Sequence, residues 1–158
     1  MKTQLHSLDL FADYFQFYVC DGHFETDTST LWDEVATDRM LAVGADLVAV
    51  GTARNMDVPL KLEVHDVEPA SDISEWDQVI DCGLSLSSGT VIAFGCTENP
   101  DDAKRFSVQP GSYKARVSYA NLNDLSADGL EGNDLYRVQL WPGEEGSIAV
   151  VKQRSISE

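Results

Sequence analysis

The segment 123–134 spaces oxygen-bearing side chains in the way that a calcium-binding loop begins. The residues concerned are Asp124, Ser126 and Asp128, which alternate along the chain and precede Gly129. Oxygens at alternate positions can converge on one Ca²⁺ ion, and glycine permits the sharp turn that such a loop needs. The pattern fails later, because Leu135 stands at the twelfth position, where a bidentate glutamate is required. The sequence therefore favours a long acidic hairpin loop, with calcium binding at these three residues as the alternative.

Two of the three tryptophans lie directly beside carboxylates. The two clusters are Trp32 with Asp33 and Glu34, and Trp76 with Asp77. An aromatic anchor next to acidic groups suits an interface that meets a basic protein, because large aromatic side chains supply much of the binding energy at interfaces. A tryptophan tucked beneath a loop explains the same pattern. We take these five residues as the predicted partner-binding set.

A polar insert containing Arg54 and Asn55 separates two apolar runs. Asn55 tolerates turn geometry, and Pro59 fixes the backbone near the start of the second run. The sequence predicts a hairpin around this insert, with residues 47–52 and 58–65 as its strands. Arg54 is a rare cation in an acidic chain, and its expected role is structural, because it can tie down a nearby carboxylate.

The sequence contains no motif that would support catalysis. It has no G-x-S-x-G nucleophile elbow, no G-x-G-x-x-G and no phosphate-binding loop. The cysteines and histidines are widely scattered, at Cys20, Cys82 and Cys96 and at His6, His23 and His65. A zinc site would need distant loops to converge. We therefore predict a protein that is not an enzyme, with no catalytic residue and no cofactor apart from the calcium alternative.

Charge is the strongest compositional feature of the chain. There are 27 acidic residues against 11 basic ones, which gives a net charge of −16 and a sequence pI near 4.3. Nucleic acid and anionic membrane surfaces would repel such a protein, so neither is a predicted partner. Three explanations stay open: a solubility or salt-adapted surface, a metal-binding surface, or carboxylates offered to a basic protein such as an enzyme that holds phosphates.

Length and hydropathy bound the organisation of the chain. The 158 residues, 43% hydrophobic and 24% charged, are predicted to form a single domain over residues 1–158. No apolar run approaches the roughly 20 residues needed to cross a bilayer, and the first residues lack the apolar region of a signal peptide. The cytoplasm is therefore the expected compartment. The sequence indicates no oligomeric state.

Alternation of residues with a period of two dominates the chain and predicts short strands. Eight segments show it: 13–20, 47–52, 58–65, 78–86, 90–96, 112–120, 134–141 and 147–152. Residues 29–38 instead have a capping hydroxyl, an acidic first turn and helical spacing, which predicts a short helix. Turn sequences lie at 86–89, 109–112 and 141–144, and two of them resemble hairpin turns. The predicted fold class is mainly β, an antiparallel β-sandwich of about eight strands with one short helix.

Five segments of the chain follow one another in a distinctive order. They are DYFQFYV (13–19), WDE (32–34), LAVGADLVAVGTARNMDVPLKLEV (41–64), RFSVQPGSYKARVSYANL (105–122) and LYRVQLWP (135–142). In this order they resemble the ComJ group of small bacterial proteins, the competence-linked inhibitors of a DNA-entry nuclease. The acidic segments 68–77 and 122–134 are additional to that likeness. The resemblance implies a non-enzymatic, cytoplasmic β-sandwich that binds and blocks a nuclease.

The predicted function is thus that of a non-enzymatic acidic binding protein, an inhibitor or immunity-type partner of a nuclease or another basic protein. The charge and the family resemblance favour this function independently of each other. The alternative is a calcium- or small-ligand-binding β-sandwich that works through Asp124, Ser126 and Asp128.

Overall fold

The chain folds into two facing β-sheets in a computed structural model that describes residues 3–144 and 146–154. The described residues form eleven strands: β1 (Gln4–Phe11), β2 (Gln16–Asp21), β3 (Leu41–Val43), β4 (Leu47–Gly51), β5 (Asp57–Val64), β6 (Gln78–Leu86), β7 (Thr90–Gly95), β8 (Arg105–Ser107), β9 (Gly111–Ala120), β10 (Leu135–Pro142) and β11 (Ala149–Lys152). Sheet 1 has the order β1-β5-β10-β9-β6-β11, and sheet 2 has the order β3-β4-β2-β7-β8. The predicted mainly β sandwich is confirmed.

The main core lies between the sheets, because side chains alternate between the two faces of every strand. In β2, Phe17 and Val19 point into this core, while Tyr18 and Cys20 lie on the outer face of sheet 2. Residues 22–40 cover that outer face with apolar side chains of their own, so it is buried as well. Sheet 2 is therefore packed on both faces.

One short helix, α1 (Glu34–Arg39), lies within the covering segment. Asp33 caps it, because its Oδ1 accepts a hydrogen bond from the Ala36 N–H at 2.8 Å. The predicted helix began five residues earlier, but Asp27 caps a separate 3-10 turn at Thr28–Thr30. The helix was therefore predicted in kind and misplaced at its start. No helix in the described ranges is long and apolar enough to cross a membrane.

Each predicted strand corresponds to an observed one, with ends that agree within three residues. The sequence missed β1, β3 and β8. Two of these have three residues each, too few to show alternation. The third, β1, lies at an edge of sheet 1, and Leu10 is its one buried side chain, so its apolar pattern is weak.

The hairpin predictions were wrong. β4 belongs to sheet 2 and β5 to sheet 1, so residues 52–56 cross between the sheets instead of turning back. The turns at 86–89 and 109–112 also lead from one sheet to the other, and the strands on either side of 141–144 are not neighbours. In a sandwich, consecutive strands can face each other across the core as readily as they pair. Among the described strands, β5 and β10 form a parallel pair, and the other pairs are antiparallel.

Candidate partner-binding groove

Two exposed aromatic residues follow β1 in an unusual backbone conformation. Tyr14 and Phe15 have φ angles of 56° and 59°, in the left-handed region that bulky residues rarely adopt. Their side chains are 71% and 55% exposed. Such backbone persists only where the surrounding structure holds it. The contacts around the pair therefore decide its conformation.

Hydrogen bonds tie this turn to the segment that crosses from β4 to β5. The Phe15 N–H donates to Asn55 Oδ1 at 3.3 Å and to the Ala12 carbonyl at 3.1 Å. The Phe15 carbonyl accepts from the Thr52 N–H at 2.9 Å. Asn55 thus binds the backbone N–H of Phe15, and Thr52 binds its backbone carbonyl.

A buried polar network fixes the crossing segment itself. Arg54 Nε lies 2.6 Å from Asp134 Oδ1, and both side chains are buried. The Tyr136 hydroxyl donates to Asp134 Oδ2 at 2.7 Å and accepts from the Ala53 N–H at 2.7 Å. Burial, reinforced by Asp134, raises the pKa of Tyr136, so its hydroxyl stays protonated and can donate. The Thr52 hydroxyl donates to the Arg54 carbonyl at 2.8 Å.

Beside the aromatic turn lies a groove of about 500 Å³, which we call the aromatic groove. It is lined by Tyr14, Phe15, Gln16, Trp32, Thr37, Met40, Gly51 and Thr52. None of these described lining residues is charged. Trp32 Nε1 donates to Gln16 Oε1 at 2.8 Å, which fixes the indole ring. The groove is thus largely apolar, and its size lies within the range of pockets that accept small molecules.

The segment that forms most of the groove is strongly acidic. Residues 13–40 supply six of the eight lining residues and contain seven acidic side chains against one basic side chain, Arg39. The exposed carboxylates on or next to α1 are Asp33, Glu34 and Asp38. Arg39 Nε donates to the Leu41 carbonyl at 2.9 Å, so this cation is held by the chain itself. An apolar groove formed mostly by an acidic segment suits a basic partner that also carries apolar groups.

The second predicted tryptophan lies on the opposite side of the sandwich. Trp76 packs on the outer face of sheet 1 and is only 8% exposed, whereas Trp32 packs on the outer face of sheet 2. The Arg137 guanidinium lies over the Trp76 ring, 4.4 Å from its centre. Asp77 is exposed, and its Oδ2 accepts from the Leu122 N–H at 3.2 Å. The structure therefore does not bring the two predicted clusters together.

Carboxylates of the acidic segment 68–77 are used to fasten that segment to sheet 1. Asp72 accepts two hydrogen bonds from Arg137, at 2.7 and 2.6 Å, and these bonds lower the pKa of the Asp72 carboxyl. Arg116 donates to Asp81 at 2.9 Å and reaches Glu68 at 3.4 Å. These charges are neutralised within the molecule, which weakens their attraction for a partner.

The three predicted calcium ligands form hydrogen bonds within their own loop. Ser126 Oγ donates to Asp128 Oδ1 at 2.6 Å, which lowers the pKa of the Asp128 carboxyl. Asp124 Oδ2 accepts from Asn133 Nδ2 at 2.9 Å. Across residues 3–144 and 146–154, no three His, Cys, Asp or Glu side chains cluster in a way that could hold a metal ion. Calcium binding at this loop stays a prediction.

The cysteines offer no activated thiol. Cys20 and Cys82 are buried, and burial raises the pKa of both thiols, that of Cys82 to about 12. The half-buried Cys96 also has a raised pKa, again chiefly because of burial. Thiols that stay protonated at neutral pH are poor nucleophiles.

Sequence reasoning missed the aromatic groove because it placed Tyr14 and Phe15 in a strand. A signal was present in the run DYFQF: two aromatic residues stand at adjacent positions, and a strand would send them to opposite faces. In the structure a 3-10 turn at Asp13–Phe15 precedes β2 instead, and both rings face solvent. Met40, another lining residue, ends α1 with a φ of 62°.

The fold and the groove define an acidic two-sheet β-sandwich with a helix-bearing segment over the outer face of sheet 2. No protein-family model and no curated protein matches the sequence. Among solved structures, ComJ from Bacillus subtilis, an inhibitor of the DNA degrading activity of NucA, matches with a TM-score of 0.65 and 14% identity, covering 89% of this chain and 98% of that one. The protein of crocagin biosynthetic gene J matches with a TM-score of 0.61 and 17% identity, covering 91% and 100%. The resemblance to ComJ is confirmed at the level of the fold.

Proposed function

We propose that this protein is a non-enzymatic binding protein that inhibits a DNA-degrading nuclease or a related basic protein. The supporting observation is the shared fold, because ComJ matches over 98% of its length and is an inhibitor of the DNA degrading activity of NucA. One fold can carry several functions, so the charge and the surface must also suit this role.

The charge suits a partner that binds nucleic acid. A nuclease holds phosphates in a basic groove, and a chain with a net charge of −16 is attracted to such a groove while DNA is repelled by the chain. Carboxylates that occupy the groove block entry of the substrate, and no chemical step is needed. The inhibitor then acts by occupancy alone.

The surface around α1 suits the contact better than the face that carries Trp76. Glu34 and Asp38 are exposed, and Trp32, two residues before Glu34, is half-buried. On the other face, Trp76 is buried and Asp72 is bound to Arg137. We therefore assign the predicted cluster Trp32, Asp33 and Glu34 to the interface ahead of Trp76 and Asp77.

The test is a DNA-degradation assay with NucA, and with a nuclease from the organism that carries this gene as a second enzyme. Addition of the protein is expected to inhibit one of them. The dissociation constant is expected to rise at least about tenfold when salt is raised severalfold, because salt screens exposed charges. An affinity that does not change with salt would contradict the electrostatic mechanism.

A matched pair of variants separates local charge from net charge. E34Q with D38N removes two carboxylates from α1, and D101N with D102N removes two from the exposed turn at Pro100–Asp102. The first pair is expected to weaken inhibition and the second to leave it close to wild type. Equal effects would show that only net charge matters, and absence of inhibition of either nuclease would overturn the proposed function.

A further inference from the structure

We propose that the aromatic groove holds a bulky apolar side chain that projects from a basic segment of the partner protein. This inference deepens the proposed function and rests on it. It names the anchor point on this chain and the chemistry of the segment that fits there.

Exposed aromatic residues form part of the lining of this groove. Tyr14 and Phe15 are the more exposed side chains, and Trp32 and Met40 continue the apolar lining in half-buried positions. An exposed apolar patch of this kind marks a binding surface, since its contact with water is unfavourable. The acidity of the surrounding chain does not extend into the groove, because its described lining residues are uncharged.

The backbone of the aromatic pair supports the same conclusion. Left-handed φ angles at Tyr14 and Phe15 cost free energy because each residue carries a Cβ atom, and glycine or asparagine would form the same turn more cheaply. Because Tyr14 and Phe15 are largely exposed, burial of their rings offsets little of this free-energy cost. A strained conformation that turns two aromatic rings to solvent is therefore better explained by binding than by stability.

Hydrogen bonds hold part of the groove in place before any partner arrives. The hydrogen bond from Trp32 Nε1 to Gln16 Oε1 fixes the indole. The Phe15 backbone is fixed because its N–H donates to Asn55 Oδ1 and its carbonyl accepts from the Thr52 N–H. Aromatic anchors that are already ordered lose little conformational entropy on binding. The site is thus suited to receiving a side chain from outside.

The charge around the groove defines the partner segment. Asp33 and Asp38 are exposed and directly follow the lining residues Trp32 and Thr37, so lysine or arginine is favoured beside the inserted residue. The groove of about 500 Å³ is large enough for a phenylalanine, leucine or tryptophan side chain. A nucleic-acid occupant is disfavoured by the same carboxylates.

The three tryptophans provide built-in reporters for a test. Trp32 lies in the groove, whereas Trp76 and Trp141 each lie against an arginine of sheet 1. Isotope-labelled protein is titrated with a short lysine-rich peptide that has one central phenylalanine, and the indole N–H resonances are followed by NMR. The Trp32 resonance is expected to shift while the other two stay in place.

Two control peptides isolate the two parts of the proposal. Alanine in place of the phenylalanine is expected to weaken binding about tenfold or more, because the buried apolar side chain is lost. Glutamate in place of the lysines is expected to abolish binding. Equal affinity for the phenylalanine and alanine peptides, or shifts centred on Trp76 or Trp141, would overturn the proposal.

Variants connect the groove to inhibition. F15G removes the ring at a φ angle that glycine adopts freely, and L5A removes a more exposed apolar side chain, 70% against 55%, at the far end of β1. F15G is expected to lose peptide binding and inhibition, while L5A keeps both. Full inhibition by a folded F15G would overturn the groove as anchor and leave the proposed function standing. Peptide binding at Trp32 without inhibition of any nuclease would overturn the function and leave the groove standing.

Discussion

Arg54 and Asp134 form a buried ion pair, 2.6 Å between Nε and Oδ1, although 80 residues separate them in the sequence. The pair joins the segment that crosses between the sheets to the start of β10. Asn55 and Thr52 lie in that same crossing segment and hold the backbone of Phe15. The ion pair therefore supports the aromatic groove from within the fold.

R54M is expected to lower the free energy of unfolding by about 3–5 kcal/mol, because it leaves the Asp134 carboxylate buried without its cation. Urea denaturation at neutral pH measures this change. R105M is the control, since Arg105 is exposed and its removal is expected to change stability by no more than about 0.5 kcal/mol. Equal stability of the two variants would contradict a structural role for Arg54.

Stability is expected to fall in acid partly through Asp72. Hydrogen bonds from Arg137 lower the pKa of this carboxyl below its ordinary value of 3.8, so the folded state binds its proton less readily than the unfolded state. The stabilisation that ionised Asp72 gives to the fold is fully present above the pKa of this carboxyl in the unfolded chain. It is lost as the pH falls through the lower pKa of the carboxyl in the folded state.

D72N removes that titration and is expected to flatten the decline of unfolding free energy below about pH 4. Urea melts over a pH series, followed by tryptophan fluorescence because Trp76 lies on Arg137, compare the variant with wild type. D9N serves as a control, since Asp9 is an exposed residue of the edge strand β1. An identical pH profile for wild type and D72N would refute the assignment.

Local sequence pattern was enough to predict eight of the eleven described strands, since alternation is a local property. It did not predict which strands pair. The turn chemistry of residues 52–56 is compatible with a hairpin, but β4 and β5 each pair with strands from elsewhere in the chain, in different sheets. The parallel pairing of β5 with β10 likewise joins segments more than 70 residues apart. Turn residues report local backbone preference, whereas sheet membership depends on contacts that are distant in sequence.

In the candidate site, too, some features could be predicted from the local sequence, whereas others depend on contacts that are distant in sequence. Trp32 and its neighbouring carboxylates were predicted from adjacency in the sequence, and the structure places Trp32 in the groove. Trp76 has a similar sequence environment but is covered, because Arg137 from β10 lies over its ring. The covering residue is 61 positions away, so the sequence next to Trp76 does not reveal it. The left-handed conformation of Phe15 likewise depends on Asn55, which is 40 positions away.

Millimolar calcium is expected to leave the melting temperature unchanged. The Asp128 and Asp124 carboxylates already accept hydrogen bonds from Ser126 and Asn133, and a calcium ion would have to displace them. A ligand of the native state present at ten times its dissociation constant would raise the unfolding free energy by about 1.4 kcal/mol. Thermal melts with calcium, with magnesium and with chelator decide the matter. A rise with calcium in wild type that D128N abolishes would establish the alternative function.

Tyr14 gives a test in which stability and binding are expected to change in opposite directions. Y14G relieves the left-handed backbone and removes a ring that is 71% exposed, whereas Y14A removes the same ring and keeps the Cβ atom. Y14G is therefore expected to be more stable than Y14A by about 1 kcal/mol, and at least as stable as wild type. Urea denaturation measures these differences, and peptide titration measures binding, which both variants are expected to weaken. If Y14G were less stable than Y14A, the backbone at Tyr14 would not be strained. Backbone strain would then no longer support a role in binding for Tyr14 and Phe15.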